Sequence, residues 1–328
     1  MIQINKEQLF HIQNPDHFEE LALTIFKKQA TENDIYQSYL AYLNVDPQSV
    51  KHINEIPFLP IEFFKSKAVL LRNQQAEIIF SSSGTTGMQS SKHYVSDVEL
   101  YETSFRLGFN HFYGDVQNMA ILALLPSYLE RTGSSLIYMV DDLIKHAQSP
   151  YSGYFLYNHD ELYKRLCTVQ QTQVPTLLIG VTYALLDFIE KYPIAFEQLI
   201  VMETGGMKGK RTEMIREELH QKLAEGFGVK TIHSEYGMTE LLSQAYSVGN
   251  GIFQCPPWMK VLIRDTNDPR TILHQQTTGG INVIDLANLN SCSFIATQDL
   301  GYQYADGSFE VLGRFDQSDI RGCNLLVQ

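Results

Sequence analysis

None of the four cysteines, Cys167, Cys255, Cys292 and Cys323, belongs to a Cys-x-x-Cys pair. That spacing argues against a zinc site and against a disulfide framework, and so few cysteines suit a reducing compartment. No apolar run approaches the ~18 residues of a membrane span. Residues 1–10 lack the apolar stretch of a signal peptide, so the expectation is a cytoplasmic protein without a membrane span. Basic residues are outnumbered, 25 Lys and Arg against 37 Asp and Glu, for a net charge of −12. With no Lys/Arg cluster, a nucleic-acid partner is not expected, and an anionic membrane is disfavoured. There is no His-Glu-x-x-His pair and no Gly-x-Ser-x-Gly elbow. Disorder is disfavoured too, because charged residues are 19% and hydrophobic residues 44% of 328.

What is present begins at Phe80-Ser81-Ser82-Ser83-Gly84-Thr85-Thr86-Gly87-Met88-Gln89-Ser90-Ser91-Lys92. Glycines let a loop turn its N–H groups toward an anion, and the hydroxyls and Lys92 add donors and charge. Ile78-Ile79-Phe80 reads as the end of a buried strand feeding this loop. It is not a Walker A loop, since Gly84 and Gly87 are three apart and no lysine follows the second. A polar surface loop of no special role is the plain alternative.

Upstream, Asp16-x-x-Glu19 reads as a capping box ahead of Phe18, Leu21, Ala22, Ile25 and Phe26 at helical spacing. A second helix carries Ile35, Tyr36, Tyr39, Leu40 and Leu43. Ile56-Pro57-Phe58-Leu59-Pro60 is restricted to extended or turn geometry. A helical turn is expected over 61–65 and a strand over 68–71. Ser96-x-x-Glu99 reads as the next capping box. Strands follow at 119–125, 176–179, 199–202 and 229–232, separated by helices over 136–144, 161–169, 184–191 and from Thr212 to about 226.

This alternation predicts a parallel, helix-covered sheet. Ligands in such sheets lie beyond the carboxyl ends of the strands. The polar segments 81–87, 126–128, 180–182, 204–206 and 234–240 are therefore expected to converge on one crevice. After 249 the character changes to short β-prone runs at 260–263, 280–284, 293–297 and 308–312. Asn250-Gly251 and Asp306-Gly307 read as hairpin turns. The expected organisation is one domain over 1–328, with α/β subdomains at 1–249 and a β-rich subdomain at 250–328.

Three further segments matter by their order. They are Glu235-Tyr236-Gly237-Met238-Thr239-Glu240, Thr297-Gln298-Asp299-Leu300-Gly301 and Gly313-Arg314-Phe315-Asp316. Singly, Tyr236 would be packing and Asp299 or Asp316 a turn residue. Together, downstream of the hydroxyl loop, they resemble the core motifs of the adenylate-forming enzymes, which activate carboxylic acids with ATP. Ile56-Pro57-Phe58-Leu59-Pro60 with Phe63-Phe64-Lys65, Glu203-Thr204-Gly205-Gly206-Met207-Lys208-Gly209, and Ser318-Asp319-Ile320-Arg321-Gly322-Cys323-Asn324-Leu325 are similar to the acyl-protein synthetase branch. That branch is the fatty-acid-activating component of bacterial bioluminescence fatty acid reductase systems.

The resemblance implies the α/β fold of the large adenylate-forming domain without the small C-terminal lid. It implies ATP and Mg²⁺ as cofactors and a fatty acid as substrate. Ser82, Ser83, Gly84, Thr85, Thr86 and Gly87 would hold the β- and γ-phosphates. Gly205 and Gly206 would lie along the adenine and Tyr236, followed by Gly237, would stack on it. Thr239 would contact the α-phosphate or the acyl carboxylate, and Glu240 would coordinate Mg²⁺. Asp299 would accept the ribose hydroxyls, with Arg314 nearby. Lys92 lies five residues after Gly87, where ordinary family members place a lysine about two residues on, so it is not given that lysine's role. Cys323 would take the acyl group from the adenylate and pass it to a partner reductase or carrier protein; read without the family it is a small buried apolar residue. A homo-oligomer is left open. Two other readings stand beside this one: an acyl- or aryl-CoA ligase of the phenylacetate-activating type, and a non-catalytic scaffold that keeps the fold.

Overall fold

Asparagine side chains start the first three helices. Asn5 accepts from Glu7 N–H ahead of α1 (Lys6–Phe10), Asn14 from His17 N–H ahead of α2 (Pro15–Glu32), and Asn33 from Ile35 and Tyr36 N–H ahead of α3 (Asp34–Tyr42). The capping box expected at Asp16 is thus replaced by an Asn14 cap with Pro15 at the first helical position, where its missing N–H costs nothing. The predicted stripe of α2 is correct: Phe18, Leu21, Ala22, Ile25 and Phe26 are all buried. The computed structural model describes residues 4–82, 90–125, 133–205 and 214–315.

The chain continues through β1 (Leu59–Pro60), α4 (Phe63–Ser66), β2 (Ile78–Ser81), β3 (Lys92–Val95), α5 (Val98–Tyr113), β4 (Ala120–Leu124) and α6 (Ser135–His146). Next come β5 (Gly153–Tyr154), α7 (His159–Thr172), β6 (Thr176–Val181), α8 (Thr182–Lys191), β7 (Ile200–Thr204), α9 (Arg216–Phe227) and β8 (His233–Tyr236). The last strands are β9 (Ala245–Ser247), β10 (Ile252–Gln254), β11 (Met259–Arg264), β12 (Thr278–Asp285), β13 (Phe294–Gln303) and β14 (Phe309–Arg314).

Twelve of the described strands form one sheet in the order β11-β12-β13-β14-β10-β9-β8-β7-β6-β4-β5, with β1 added in parallel to β13. From β5 to β8 neighbouring strands are parallel, and every residue of β4 and β6 is buried. That burial explains their unbroken apolar runs, because helices cover such strands on both sides. From β8 onward the ladder is antiparallel, with the Asn250-Gly251 turn between β9 and β10. The α/β and β-rich parts share this one sheet.

Several expectations need correction. Residues 68–71 form no strand; Leu71 N–H donates to the Asn290 carbonyl and Ser291 Oγ to that of Val69, so the segment is tied down irregularly. The cap of α5 is Asp97, whose carboxylate accepts from Leu100 N–H, rather than Ser96. The strand expected at 229–232 lies at His233–Tyr236. Here Ser234 and Tyr236 are buried while His233 and Glu235 are half-buried, and that alternation was hidden by four consecutive polar-tipped side chains. Thr212 lies outside the described residues, and α9 is described from Arg216.

Candidate functional site

The hydroxyl loop springs from a hairpin of its own. β2 pairs antiparallel with β3 in a separate two-stranded sheet, with Ser81 opposite Lys92. This corrects the expectation of a buried strand: Phe80 is buried between Tyr101 and Tyr138, but Ile79 is 45% exposed. Ser82 closes the base of the loop. Its N–H donates to the Ser91 carbonyl at 3.0 Å, and its Oγ accepts from Ser91 N–H at 2.9 Å. Ser81 N–H donates to the Gly133 carbonyl at 2.8 Å, which sets the hairpin beside the start of α6. Ser83, Gly84, Thr85, Thr86 and Gly87 lie outside the described residues, as do Gly206, Cys323 and residues 126–128.

The hairpin is fastened to the turn that carries Thr239 and Glu240. His93 on β3 is fully buried, with Nδ1 2.9 Å from the Thr239 carbonyl and Nε2 3.1 Å from Asn288 Oδ1. Asn288 Nδ2 donates to the Glu240 carbonyl at 2.8 Å. The Thr239 carbonyl and Asn288 Oδ1 are both acceptors, so the neutral ring donates its single N–H to one of them. Burial pushes the imidazole down to about 4, against the two hydrogen bonds, so it is neutral at pH 7. Glu240 is buried; desolvation raises its carboxyl, and the Ser91 hydroxyl moderates the shift. Just beyond, the Asp285 carboxylate accepts from the N–H groups of Leu242 and Ser243, at 2.7 and 3.0 Å, and from Ser243 Oγ at 2.6 Å.

A second knot joins the two halves of the sheet. Tyr236 ends β8 and donates its hydroxyl to Asp299 Oδ2 at 2.9 Å. Asp299 Oδ1 accepts from Arg314 Nε at 3.1 Å, and the two residues are register partners across β13 and β14. The ring of Tyr236 is held edge-on by Phe253 and Phe309, with centroids 5.9 and 5.5 Å away. Asp299 is buried, whereas the Arg314 side chain is 77% exposed. Arg264, buried on β11, steadies the knot from behind through Nη2 to the Thr297 carbonyl at 2.6 Å, while Thr297 Oγ1 accepts from Asp299 N–H.

The third element lies at the ends of β7 and β8. Gly205 follows β7 with φ of 64°, a left-handed conformation that suits glycine. Its carbonyl accepts from Thr182 Oγ1 at 3.0 Å. Thr204 Oγ1 donates to Glu235 Oε2 at 2.6 Å. Burial pushes the Glu235 carboxyl up to about 7; the Thr204 bond opposes the shift and the nearby Glu203 adds to it. Gly237 needs its missing side chain, because a Cβ there would stand 2.3 Å from Glu235 Oε1 and 3.2 Å from Gln244 Cγ.

The described predicted residues are therefore interlinked. Ser82 is joined through Ser91 to Glu240, His93 ties the same hairpin to Thr239, and Tyr236, Asp299 and Arg314 form one hydrogen-bonded chain. Sequence reasoning missed His93, Asn288, Asp285 and Glu235. Glu235 stood inside a quoted motif, but the other three reach the site only through tertiary contacts. Among the described residues no group of three or more His, Cys, Asp or Glu could hold a metal. A single carboxylate such as Glu240 fits Mg²⁺ when phosphate oxygens and water supply the remaining ligands. No helix of the described residues is long and apolar enough to cross a membrane.

No family model and no curated protein matches the chain. Solved structures match its fold. ATP-bound MatB from Rhodopseudomonas palustris aligns with a TM-score of 0.55 at 17% identity, over 72% of this chain and 47% of that one. An open 2-hydroxyisobutyryl-CoA ligase in complex with 2-HIB-AMP and CoA aligns at 0.66 and 10% identity, over 93% and 77%. The same ligase in its postadenylation state aligns at 0.67 and 11%, over 92% and 68%. The chain spans about half the length of MatB, and its fold is that of the adenylate-forming ligases.

Proposed function

We propose that this chain uses ATP to activate a carboxylic acid as its acyl-adenylate, making it an AMP-forming ligase. We further propose that the acid is a long-chain fatty acid, and that its acyl group passes to Cys323 and then to a partner reductase or carrier protein. The observation that carries the reading is the linkage of separate motifs: His93 ties the Ser82 hairpin to the Thr239-Glu240 turn, and that turn follows Tyr236, which ends β8 and bonds the Asp299–Arg314 pair, in a fold shared with ATP-bound MatB.

The chemistry follows from charge. A carboxylate and a triphosphate repel each other, so the site must offset that repulsion and hold the carboxylate in line with the α-phosphorus. The hydroxyls and N–H groups of Ser82, Ser83, Gly84, Thr85, Thr86 and Gly87 would grip the β- and γ-phosphates. Asp299 would receive the ribose, its two oxygens sharing with Tyr236 and Arg314. Gly205, Gly206 and Tyr236 would flank the adenine, and Thr239 the reacting carboxylate. Mg²⁺ bound at Glu240 would neutralise phosphate charge. The acid needs no general base, because it is already ionised at neutral pH. A carboxylate oxygen bonds to the α-phosphorus as the bond to the β-phosphate oxygen breaks and pyrophosphate leaves. The Cys323 thiolate, its proton lost to water, then bonds to the acyl carbon as AMP departs.

The neighbours named above include CoA ligases, so coenzyme A is the alternative acceptor. Intact-mass measurement after incubation with ATP, Mg²⁺ and hexadecanoic acid tests the acceptor. The reading expects one hydroxylamine-labile acyl adduct that Cys323→Ser abolishes; CoA-dependent AMP release without an adduct would favour the alternative.

A further inference from the structure

The face of β8 and β9 that packs on α5 carries polar atoms without protein partners. Glu235 and Tyr246 are register partners there, and the ladder continues to Gly237 and Gln244 on the same face. Gln244 is 6% and Tyr246 2% exposed, yet Gln244 Oε1 and the Tyr246 hydroxyl have no hydrogen-bond partner among the described residues. A buried polar atom left unpaired costs about 1–3 kcal/mol, so two side by side call for a reason. Beside them stands the Glu235 carboxyl. Thr204 occupies Oε2, Oε1 is turned to the side where Gly237 lacks a Cβ, and no lysine or arginine among the described residues forms an ion pair with Glu235. The Tyr113 ring, with its centroid 5.5 Å from that of Tyr246, closes the far side. Each of these oxygens can accept a hydrogen bond, the Tyr246 hydroxyl can also donate one, and no donor among the described residues reaches Gln244 Oε1.

We propose that Glu235, Gln244 and Tyr246 form a receptor for a hydrogen-bond donor on the acid substrate, a hydroxyl or amino group borne close to its carboxyl. The inference deepens the adenylation reading and rests on it, and it narrows the long-chain fatty acid proposed above to one that bears such a donor. Gly237 and Thr239 are two residues apart, which limits their Cα separation to about 7 Å. A donor beside Gly237 thus lies within a few bonds of a carboxylate held by Thr239. A plain alkyl chain would leave these oxygens unpaired and dry, and a site built to bond a donor discriminates strongly against the analogue that lacks one.

The test compares octanoic, 2-hydroxyoctanoic and 2-aminooctanoic acids in ATP–pyrophosphate exchange, with direct binding of each followed by calorimetry. The expected result is a kcat/KM at least about tenfold higher for one donor-bearing acid than for octanoic acid; which of the two wins identifies the donor. Glu235→Leu should erase the preference by lowering the rate with the substituted acid more than the rate with octanoic acid. Tyr246→Phe, which removes one oxygen and keeps the packing, should reduce it severalfold. Octanoic acid preferred or equal in the wild type, or a preference that survives both substitutions, overturns the receptor. Donor-dependent binding that Glu235→Leu abolishes, without exchange for any acid, sinks adenylation and leaves the receptor standing. Exchange with octanoic acid alone does the reverse.

Discussion

His93 Nδ1 lies 2.9 Å from the carbonyl oxygen of Thr239, so a strand of the hydroxyl hairpin is bonded directly to the turn proposed to meet the acid. Because that imidazole is buried and held down to about 4, its folded value lies below the usual 6.5. The unfolded chain therefore binds the extra proton first as pH falls. Stability from His93 is fully present above pH 6.5 and is lost as pH drops through 4, a loss of about 3 kcal/mol at ~1.4 kcal/mol per unit. Urea denaturation at pH 7, 5.5 and 4 should show His93→Gln less stable than wild type at pH 7 and its deficit shrinking toward pH 4. A deficit that stays constant would contradict the buried neutral form.

Asp285 is predicted to be a stability residue. Asp285→Ala strands the N–H groups of Leu242 and Ser243 in the interior, at a cost of about 2–4 kcal/mol. The denaturation midpoint should fall without a change in slope. Asp285→Asn keeps one acceptor and should recover part of the loss.

Tyr236→Phe removes a single hydroxyl while leaving the ring against Phe253 and Phe309. With Asp299 held by fewer partners, kcat/KM for ATP should drop about tenfold in pyrophosphate exchange. Thermal stability should change far less than in Asp285→Ala. Unchanged ATP kinetics would remove Asp299 from the nucleotide site.

Gly237→Ala forces a Cβ to within 2.3 Å of Glu235 Oε1. Overpacking of this kind costs about 1–3 kcal/mol. Because the obstruction is the end of the Glu235 side chain, Glu235→Ala should restore most of that stability in the double variant. Simple addition of the two single effects would show that the clash lies elsewhere.

Local pattern made much of the fold legible. The helical spacing of Phe18, Leu21, Ala22, Ile25 and Phe26 gave their shared buried face, and the run at 119–125 gave a strand covered on both sides. Helix starts were displaced because Asn14, Asp16, Ser96 and Asp97 are all competent caps, and only backbone geometry chooses among them. The strand β8 was misplaced because its residues serve polar contacts at strand ends as well as the core. Within the candidate site, Tyr236, Asp299 and Arg314 were visible as motif residues. Asn288 was not, since it meets His93 from 195 positions away in the chain, and no local spacing encodes such a contact.

The central claim is acid-dependent activation by ATP. It is tested most directly by exchange of labelled pyrophosphate into ATP with Mg²⁺ and a panel of carboxylic acids that includes the three octanoic derivatives and hexadecanoic acid. The account predicts exchange that requires an acid and falls in Tyr236→Phe. No acid-dependent exchange from folded protein with any member of the panel would contradict it.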